Sequence, residues 1–424
     1  MAGAAITSET RPDQRPPDER LGAALEILER LIAFDTTSAR SNLELIGWVA
    51  DYLARFGIDS ARSSAGDGKA NLFATIGPAV SDKPPTGGKT GRGGVILSGH
   101  TDVVPVAGQD WHSDPFRLTE RPGEHGAEGG GRLYGRGSAD MKGFIALVLA
   151  LVPQAASRTL AVPLHLAFTH DEETGCFGAP ALISALPTGT ARPLMAIVGE
   201  PTSMQIANAQ KGCSFFRTRI IGHEGHSSAP DRGVNAISAA AELIAEIGRL
   251  HAEARGRARP DSGFDPPHTT LSVGTIAGGT AVNIIARECA FDWDLRTLPD
   301  ENAAALKARI DRFIAADLLP RMRAVYQAAA VETETIVAVP PLVPVAGSPA
   351  EALARRLTGV NTTTTVSFAS EAGLYQQAGI PAIVCGPGSI DVAHKPDEYI
   401  TRAELAAGQV FLDRLLEWAT SGRA

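Results

Sequence analysis

Thr169-His170-Asp171-Glu172-Glu173-Thr174-Gly175 follows residues 163–168, in which Leu164, Leu166 and Phe168 alternate with other residues in the period of a β-strand. Three acidic residues in a row at a strand end repel one another, and each raises the pKa of the next unless something positive sits among them. A divalent cation would resolve the conflict. Taken alone, the stretch has a more ordinary reading as a solvated acidic turn, and the rest of the chain decides between the two.

Working outward, the short apolar runs 94–99, 194–198 and 380–385 read as further buried strands. Each of the first two ends at or just before a potential metal ligand, His100 and Glu200, as the opening strand ends before Glu172 and Glu173. His394 lies on the loop after 380–385, and Asp140 enters from a Gly-rich loop that opens the apolar helix 144–151. In an open α/β sheet, ligands bind outside the carboxyl ends of the strands, so residues distant in sequence can converge on one rim. Two His and three or four carboxylates, with no Cys, suit a hydrolytic zinc, cobalt or manganese site rather than a structural zinc site. One aspartate can bridge two metals, and Asp102 can orient the His100 imidazole. Singly, each has a plainer reading: His100 as a core histidine, Asp140 as a helix cap, Glu200 as a turn cap, His394 as a solvated residue. Their common position at strand ends favours a metal site. Asp171 is left as a solvated side chain.

The chain has 424 residues, 44% of them hydrophobic, and a net charge of −8. That balance argues against nucleic acid or an anionic membrane as partner. No apolar run approaches the roughly 18–20 residues of a membrane span. Residues 1–20 lack the apolar centre of a signal peptide and read as a mobile tail, so a cytoplasmic protein is expected. Cys176, Cys213, Cys289 and Cys385 form no CxxC pair and read as buried, reduced thiols. Helices are expected at 20–33 and 42–56, strands at 71–76, and Gly-rich surface loops at 81–94 and 120–131. From Lys211 the order changes to β-α-β-β-α-β (213–221, 234–251, 269–276, 288–295, 303–313, 331–339), the ferredoxin-like pattern. After Pro341 the first pattern resumes with helices at 349–357, capped by Ser348, at 371–378 and at 402–418. The expected organisation is a tail (1–20), a catalytic domain in two parts (21–210 and 341–424) and an inserted α+β domain (211–340).

The stretches Ser98-Gly-His-Thr-Asp-Val-Val-Pro105, Gly135-Arg-Gly-Ser-Ala-Asp-Met-Lys-Gly143, Thr169–Cys176 and Gly199-Glu-Pro-Thr202 recur in order with Gly225-His-Ser-Ser-Ala-Pro230, Gly278-Gly-Thr-Ala-Val-Asn-Ile284, Cys385-Gly-Pro-Gly-Ser389 and Ala393-His-Lys-Pro-Asp-Glu398. In this order the chain, from about residue 22, resembles the di-zinc aminoacylase and carboxypeptidase superfamily, and within it the acetylornithine deacetylase type. Glu rather than Asp at position 200 is similar to both the acetylornithine and the succinyl-diaminopimelate types, and Ser370-Glu-Ala-Gly373 with Cys385–Ser389 carries the narrower likeness. The resemblance implies an α/β fold, a zinc-exopeptidase-like mixed sheet flanked by helices, with a ferredoxin-like lid and dimerisation domain. It implies two divalent metals, Zn2+ foremost and Co2+ as an alternative. His100 and Glu200 would hold one, Glu173 and His394 the other, with Asp140 as bridge. It makes Glu172 the general base for a metal-bridged hydroxide, His226 a lid residue that stabilises the oxyanion across a homodimer, and Asn283 with Arg296 the clamp on a substrate carboxylate. The implied reaction is hydrolysis of an N-acyl amino acid, first of all N2-acetylornithine to ornithine and acetate. Succinyl-diaminopimelate desuccinylase, another N-acyl amino acid deacylase and a glutamate-releasing carboxypeptidase are the alternatives among enzymes. A catalytically silent metal- or amino-acid-binding protein is the alternative outside them. The loops 81–94 and 120–131 look longer than such enzymes need.

Overall fold

A computed structural model describes residues 17–66, 68–78, 93–122 and 131–422. The chain divides into two compact units, one of residues 1–208, 345–363 and 370–424, the other of 209–344 and 364–369. The expected boundaries leave 364–369 in the first unit. The structure puts them in the second, because the Thr365 and Ser367 hydroxyls donate to the Gly263 and Asp265 carbonyls at 2.6 Å each.

The first unit is built on a mixed sheet. Its strands run in the order Ser60–Gly66, Lys69–Ile76, Leu164–Thr169, Val95–His100, Met195–Pro201 and Ala382–Gly386, and Ala207–Gln210 joins through Ala207 as the chain leaves the unit. The first two are antiparallel to their neighbours, and the four that follow are parallel. Val95–His100, Leu164–Thr169 and Met195–Pro201 are buried at every position, which is why they read as unbroken or nearly unbroken apolar runs. Parallel pairing brings His100 level with Thr169, so the carboxyl ends of these strands share one rim. Gly199 and Gly386 let that rim close: a Cβ on Gly199 would overlap the Phe144 ring, and one on Gly386 would strike the Gly199 carbonyl.

Helices Pro17–Ile32 and Arg402–Ser421 pack against Gly143–Ala156 in one continuous apolar core. The first helix begins inside the stretch expected to be tail, at Pro17, since proline suits a first helical position; residues 1–16 lie outside the described residues, as do 81–92 and 123–130 of the two expected loops. The closing helix starts with a capping box between Thr401 and Glu404, an arrangement worth about 1 kcal/mol. The region Ser138–Ala156 is long and apolar enough to cross a membrane, but 83% of it is buried inside the unit, as befits a core helix.

In the second unit, four antiparallel strands run in the order Thr270–Gly278, Glu288–Thr297, Gly212–Ile221 and Ala330–Val339. The helices Ala236–Gly256 and Ala303–Phe313 pack over an apolar face supplied by Phe216, Phe291, Trp293 and Leu295. That is the β-α-β-β-α-β order of a ferredoxin-like fold. All four cysteines of the chain are buried and free.

Candidate active site

The rim of the first unit gathers the expected donors. His100, almost fully buried, ends its strand with Nε2 at 3.0 Å from Asp140 Oδ1 and 3.8 Å from Glu200 Oε1. The other Asp140 oxygen, Oδ2, lies 3.2 Å from His394 Nε2, and His394 Nε2 lies 2.9 Å from Glu173 Oε2. Asp140 thus stands between two imidazoles, one oxygen toward each. One donor group joins His100, Asp140 and Glu173; a second joins His100, Glu172 and Glu200, the ligand atoms of each lying within 4.8 Å of one another.

The electrostatics of this cluster suit a bound cation. Burial opposes ionisation of Asp140, yet hydrogen bonds from His100 and His394 hold its pKa well below the usual carboxylate range. Burial pushes Glu173 up to about 7, with Asp140 adding to the rise. Burial and then Asp140 raise Glu200 far above its ordinary value. Glu172 rises likewise through burial and the neighbouring carboxylates, against the pull of His100. His394 is lifted to about 10 by its hydrogen bonds to Asp140 and Glu173. Glu173 Oε1 and Glu200 Oε1 are buried without hydrogen-bond partners. Orphaned buried carboxylate oxygens are costly, and inward-facing oxygens beside imidazole nitrogens, with no sulfur, form the donor set that divalent zinc or cobalt takes. The residues fit two such ions, with Asp140 common to both halves.

Asp102 does a different job from the one expected of it. Its backbone carbonyl accepts from His100 Nδ1 at 2.9 Å and so fixes the ring, while its carboxylate stands 3.7 Å away from that nitrogen. The carboxylate instead accepts the backbone N–H of Glu172 at 3.1 Å and of Glu173 at 3.2 Å, and the Ser38 hydroxyl at 2.8 Å. The sheet-end turn that carries both glutamates therefore hangs on Asp102. Asp102→Asn replaces one acceptor oxygen with a donor facing an N–H. Turnover should fall about 10- to 100-fold, measured as kcat on the best substrate at saturating metal.

Asp171 is not solvated. Lys69 Nζ pairs with one of its oxygens and His170 Nδ1 lies 3.1 Å from the other, and the residue turns the chain with φ 54°. A left-handed aspartate between two basic partners starts the bend that sends Glu172 and Glu173 back over the rim.

Several contributors escaped sequence reasoning. Cys176 directs its thiol at Glu172 Oε1, 3.3 Å away. Ser98 Oγ donates to the buried Glu371 at 2.8 Å and lies 3.0 Å from the Tyr375 hydroxyl, just behind His100. Glu398 Oε1 accepts the backbone N–H of Ala139 and Asp140, and its other oxygen pairs with Arg136 at 2.7 Å, both side chains fully buried. Breaking one partner of such a pair typically costs about 3–5 kcal/mol, since the other is left charged and buried. Arg136 and Glu398 carried a signal: charged residues inside small-residue and turn motifs. Cys176 and Glu371 looked like ordinary core and helix-end positions.

The remaining candidates belong to the second unit. His226 is exposed, and its Nδ1 accepts the Ser228 backbone N–H at 3.1 Å, so a neutral ring carries its proton on Nε2. His226 pairs with Ile284, and Ser227 N donates to the Asn283 carbonyl at 3.1 Å, which places His226 and Asn283 side by side. Arg296 is not with them. It lies opposite Cys213 near the far end of the strand Glu288–Thr297, about 26 Å along that strand from Glu288 at ~3.3 Å per residue. Its guanidinium lies over the Phe215 ring at 5.2 Å, and its Nε pairs with Asp294 at 3.1 Å. The pairing of Asn283 with Arg296 expected from sequence is therefore not made within one chain's second unit.

Known proteins resemble this chain along most of its length. Residues 96–418 match the family described as Peptidase family M20/M25/M40. A protein of Proteus mirabilis named acetylornithine deacetylase is 34% identical over 410 residues, 94% of this chain and 97% of the relative. One of the same name from Myxococcus xanthus is 35% identical over 412 residues, 96% of this chain and 100% of its own. Among solved structures, a tripeptidase from Staphylococcus aureus superposes with a TM-score of 0.69 at 18% identity, covering 95% of this chain and 98% of its own. A dinuclear metal-binding peptidase of the M20 family from Bacillus subtilis gives 0.62 at 16% identity, covering 94% and 98%. On a family match over most of its length and relatives above 30% identity across nearly all of theirs, the chain belongs to peptidase family M20/M25/M40 and is a hydrolase of that family.

Proposed function

We propose that the protein hydrolyses the amide bond of an N-acyl amino acid, N2-acetylornithine first among them, using two divalent metal ions, zinc foremost. The observation that carries the reading is the convergence of His100, Asp140, Glu173, Glu200 and His394 around Glu172 on one rim, with two buried carboxylate oxygens left without partners. The names of the relatives supply the substrate. His100 and Glu200 would hold one ion, Glu173 and His394 the other, with Asp140 between. When bound, such a pair supplies an acidified water and a polarised amide carbonyl.

The chain's own residues do the rest. Glu172 is held at its backbone by Asp102 and at Oε1 by the Cys176 thiol, which leaves Oε2 to take the proton of the attacking water. A carboxylate placed there can take that proton and return it to the leaving amine. In the second unit, the His226 Nε2–H is a donor suited to a developing oxyanion. The Nη fork of Arg296, with Nε occupied by Asp294, suits a carboxylate. Because His226 and Arg296 lie toward opposite ends of one sheet, each end would serve a different site of a homodimer. Mixing a His226→Ala chain with an Arg296→Ala chain should then restore activity that neither homodimer has. An inactive mixture in which mixed dimers are shown to form counts against the shared site. Four buried free thiols accord with a cytoplasmic setting.

The deciding experiment is a substrate panel of N-acetyl, N-formyl and N-succinyl amino acids with ornithine, citrulline and diaminopimelate side chains. N2-Acetylornithine should lead in kcat/KM by about tenfold or more, the discrimination that small differences in a pocket support. Preference for N-succinyl-diaminopimelate would make the protein a desuccinylase. Two bound metals with no turnover on the panel would return it to a binding role.

A further inference from the structure

Arg136 is fully buried, and two separate segments of the first unit, 109–111 and 395–398, meet on its guanidinium. Nη1 donates to Glu398 Oε2 at 2.7 Å and to the Lys395 carbonyl at 3.2 Å. Nη2 donates to Gln109 Oε1, the same oxygen that accepts from Trp111 Nε1 at 3.1 Å. The Trp111 ring covers the guanidinium, with its centroid 5.0 Å away.

Two lines lead from this junction back to the candidate ligands. Along one, Glu398 Oε1 accepts the N–H of Ala139 at 2.9 Å and of Asp140 at 3.1 Å. Along the other, Gln109 Nε2 donates to the backbone carbonyl of His394 at 2.8 Å. One guanidinium therefore fixes the backbone at both Asp140 and His394.

His394 needs such a hold. Its side chain is 52% exposed, so packing does little to place it. Its backbone sits at φ 63°, a conformation that a non-glycine residue keeps only where its surroundings impose it. His100 and Glu200, by contrast, end buried strands of the central sheet and are placed by the sheet itself.

We propose that Arg136, acting through Glu398 and Gln109, is the positioning residue that sets Asp140 against His394, and so governs the capacity of the His394 half of the site for its metal. The inference rests on the two-metal reading and deepens it by dividing the site. The His100–Glu200 half stands on the sheet, and the Glu173–His394 half depends on a buried arginine that no candidate ligand requires for its own charge. A planar fork with two separate Nη groups can hold Glu398 and Gln109 at once in fixed directions, which the single ammonium of lysine does not reproduce.

The test compares zinc bound per chain, by equilibrium dialysis and elemental analysis, in wild type, Arg136→Lys and Gln109→Glu. Gln109→Glu keeps an oxygen for Arg136 and Trp111, replaces the N–H given to His394 with an acceptor oxygen that repels that carbonyl, and adds one negative charge. At a free zinc level that just fills wild type with two ions, both variants should hold one. Two should return only at about tenfold or higher free zinc, the usual scale for losing a residue that supports a ligand. The metal-free melting temperature of Gln109→Glu should match wild type, which separates loss of position from loss of fold. Should Arg136→Lys fail to fold, Gln109→Glu decides alone. Wild type with two ions and Gln109→Glu with two at the same free zinc overturns the inference while the two-metal reading stands. Wild type with fewer than two overturns that reading and the inference with it.

Discussion

Glu172→Gln should leave both metals bound and lower kcat by about 10^2- to 10^4-fold, the usual contribution of a positioned general base. The amide keeps the shape of the side chain, and its carbonyl oxygen can still accept the Cys176 thiol that now points at Oε1. It can no longer take a proton. The substitution also removes a negative charge from a crowd: burial, together with Glu173, Asp140 and Asp102, drives the Glu172 pKa well above its ordinary value. A carboxyl whose folded pKa is raised costs stability above its unfolded pKa, because folding then disfavours the charged form. At pH 7 the metal-free Glu172→Gln protein should accordingly melt no lower than wild type. Any advantage should vanish below about pH 4, where the carboxyl of the unfolded chain is itself protonated. Metal analysis, steady-state kinetics and melts at the two pH values check the three parts. Activity within tenfold of wild type would remove Glu172 from the base role.

That one residue of an acidic run can be singled out owes much to what the sequence displays. Strands buried on both faces read as short apolar runs, and a His or Glu that interrupts such a run at its carboxyl end is conspicuous. This made His100, Glu173 and Glu200 legible before any coordinates. Asp140 and His394 were marked less sharply, by their place after a buried strand and at a helix start, since each sits on a loop whose path no periodicity announces. The three-residue strands Thr119–Arg121, Arg132–Tyr134 and Tyr399–Thr401 are too short to show a period of two, so the small sheet they form went unseen. Hydrogen bonding was the least legible layer. Asp102 was read as a partner for the His100 ring because they are two residues apart, but the backbone carbonyl takes that role and frees the carboxylate for the Glu172–Glu173 turn. Asp171 reads as a solvated side chain because the sequence assigns it no role; its partner Lys69 lies 102 positions away. Arg296 and Asn283 were joined by the family resemblance, and only the strand register shows that Arg296 lies about 26 Å along its strand from Glu288, the end nearer the turn that carries Asn283.

Asp140→Asn should have the broadest consequence, because it strikes both halves of the site at once. Asp140 is the carboxylate that both imidazoles reach, His100 at 3.0 Å and His394 at 3.2 Å, through different oxygens. An asparagine there keeps one acceptor and turns an N–H toward the other ring. Uptake should fall from two ions to one or none, and activity to background. The change should also alter how uptake depends on pH. In the metal-free chain, hydrogen bonds to Asp140 and Glu173 lift His394 to about 10, so at pH 7 it carries a proton that a metal must displace. Metal affinity should therefore rise with pH, about tenfold per unit for each proton released. The same raised pKa stabilises the metal-free fold fully below the ordinary histidine value of about 6.5, and that contribution fades as pH climbs through the folded value. Taking the Asp140 charge away lets His394 relax toward its ordinary pKa. The affinity that remains should then vary less steeply between pH 6.5 and 8.5, which competition with a chromophoric chelator measures directly. Two ions per chain in Asp140→Asn, taken up with the wild-type pH slope, would show that the bridge lies elsewhere.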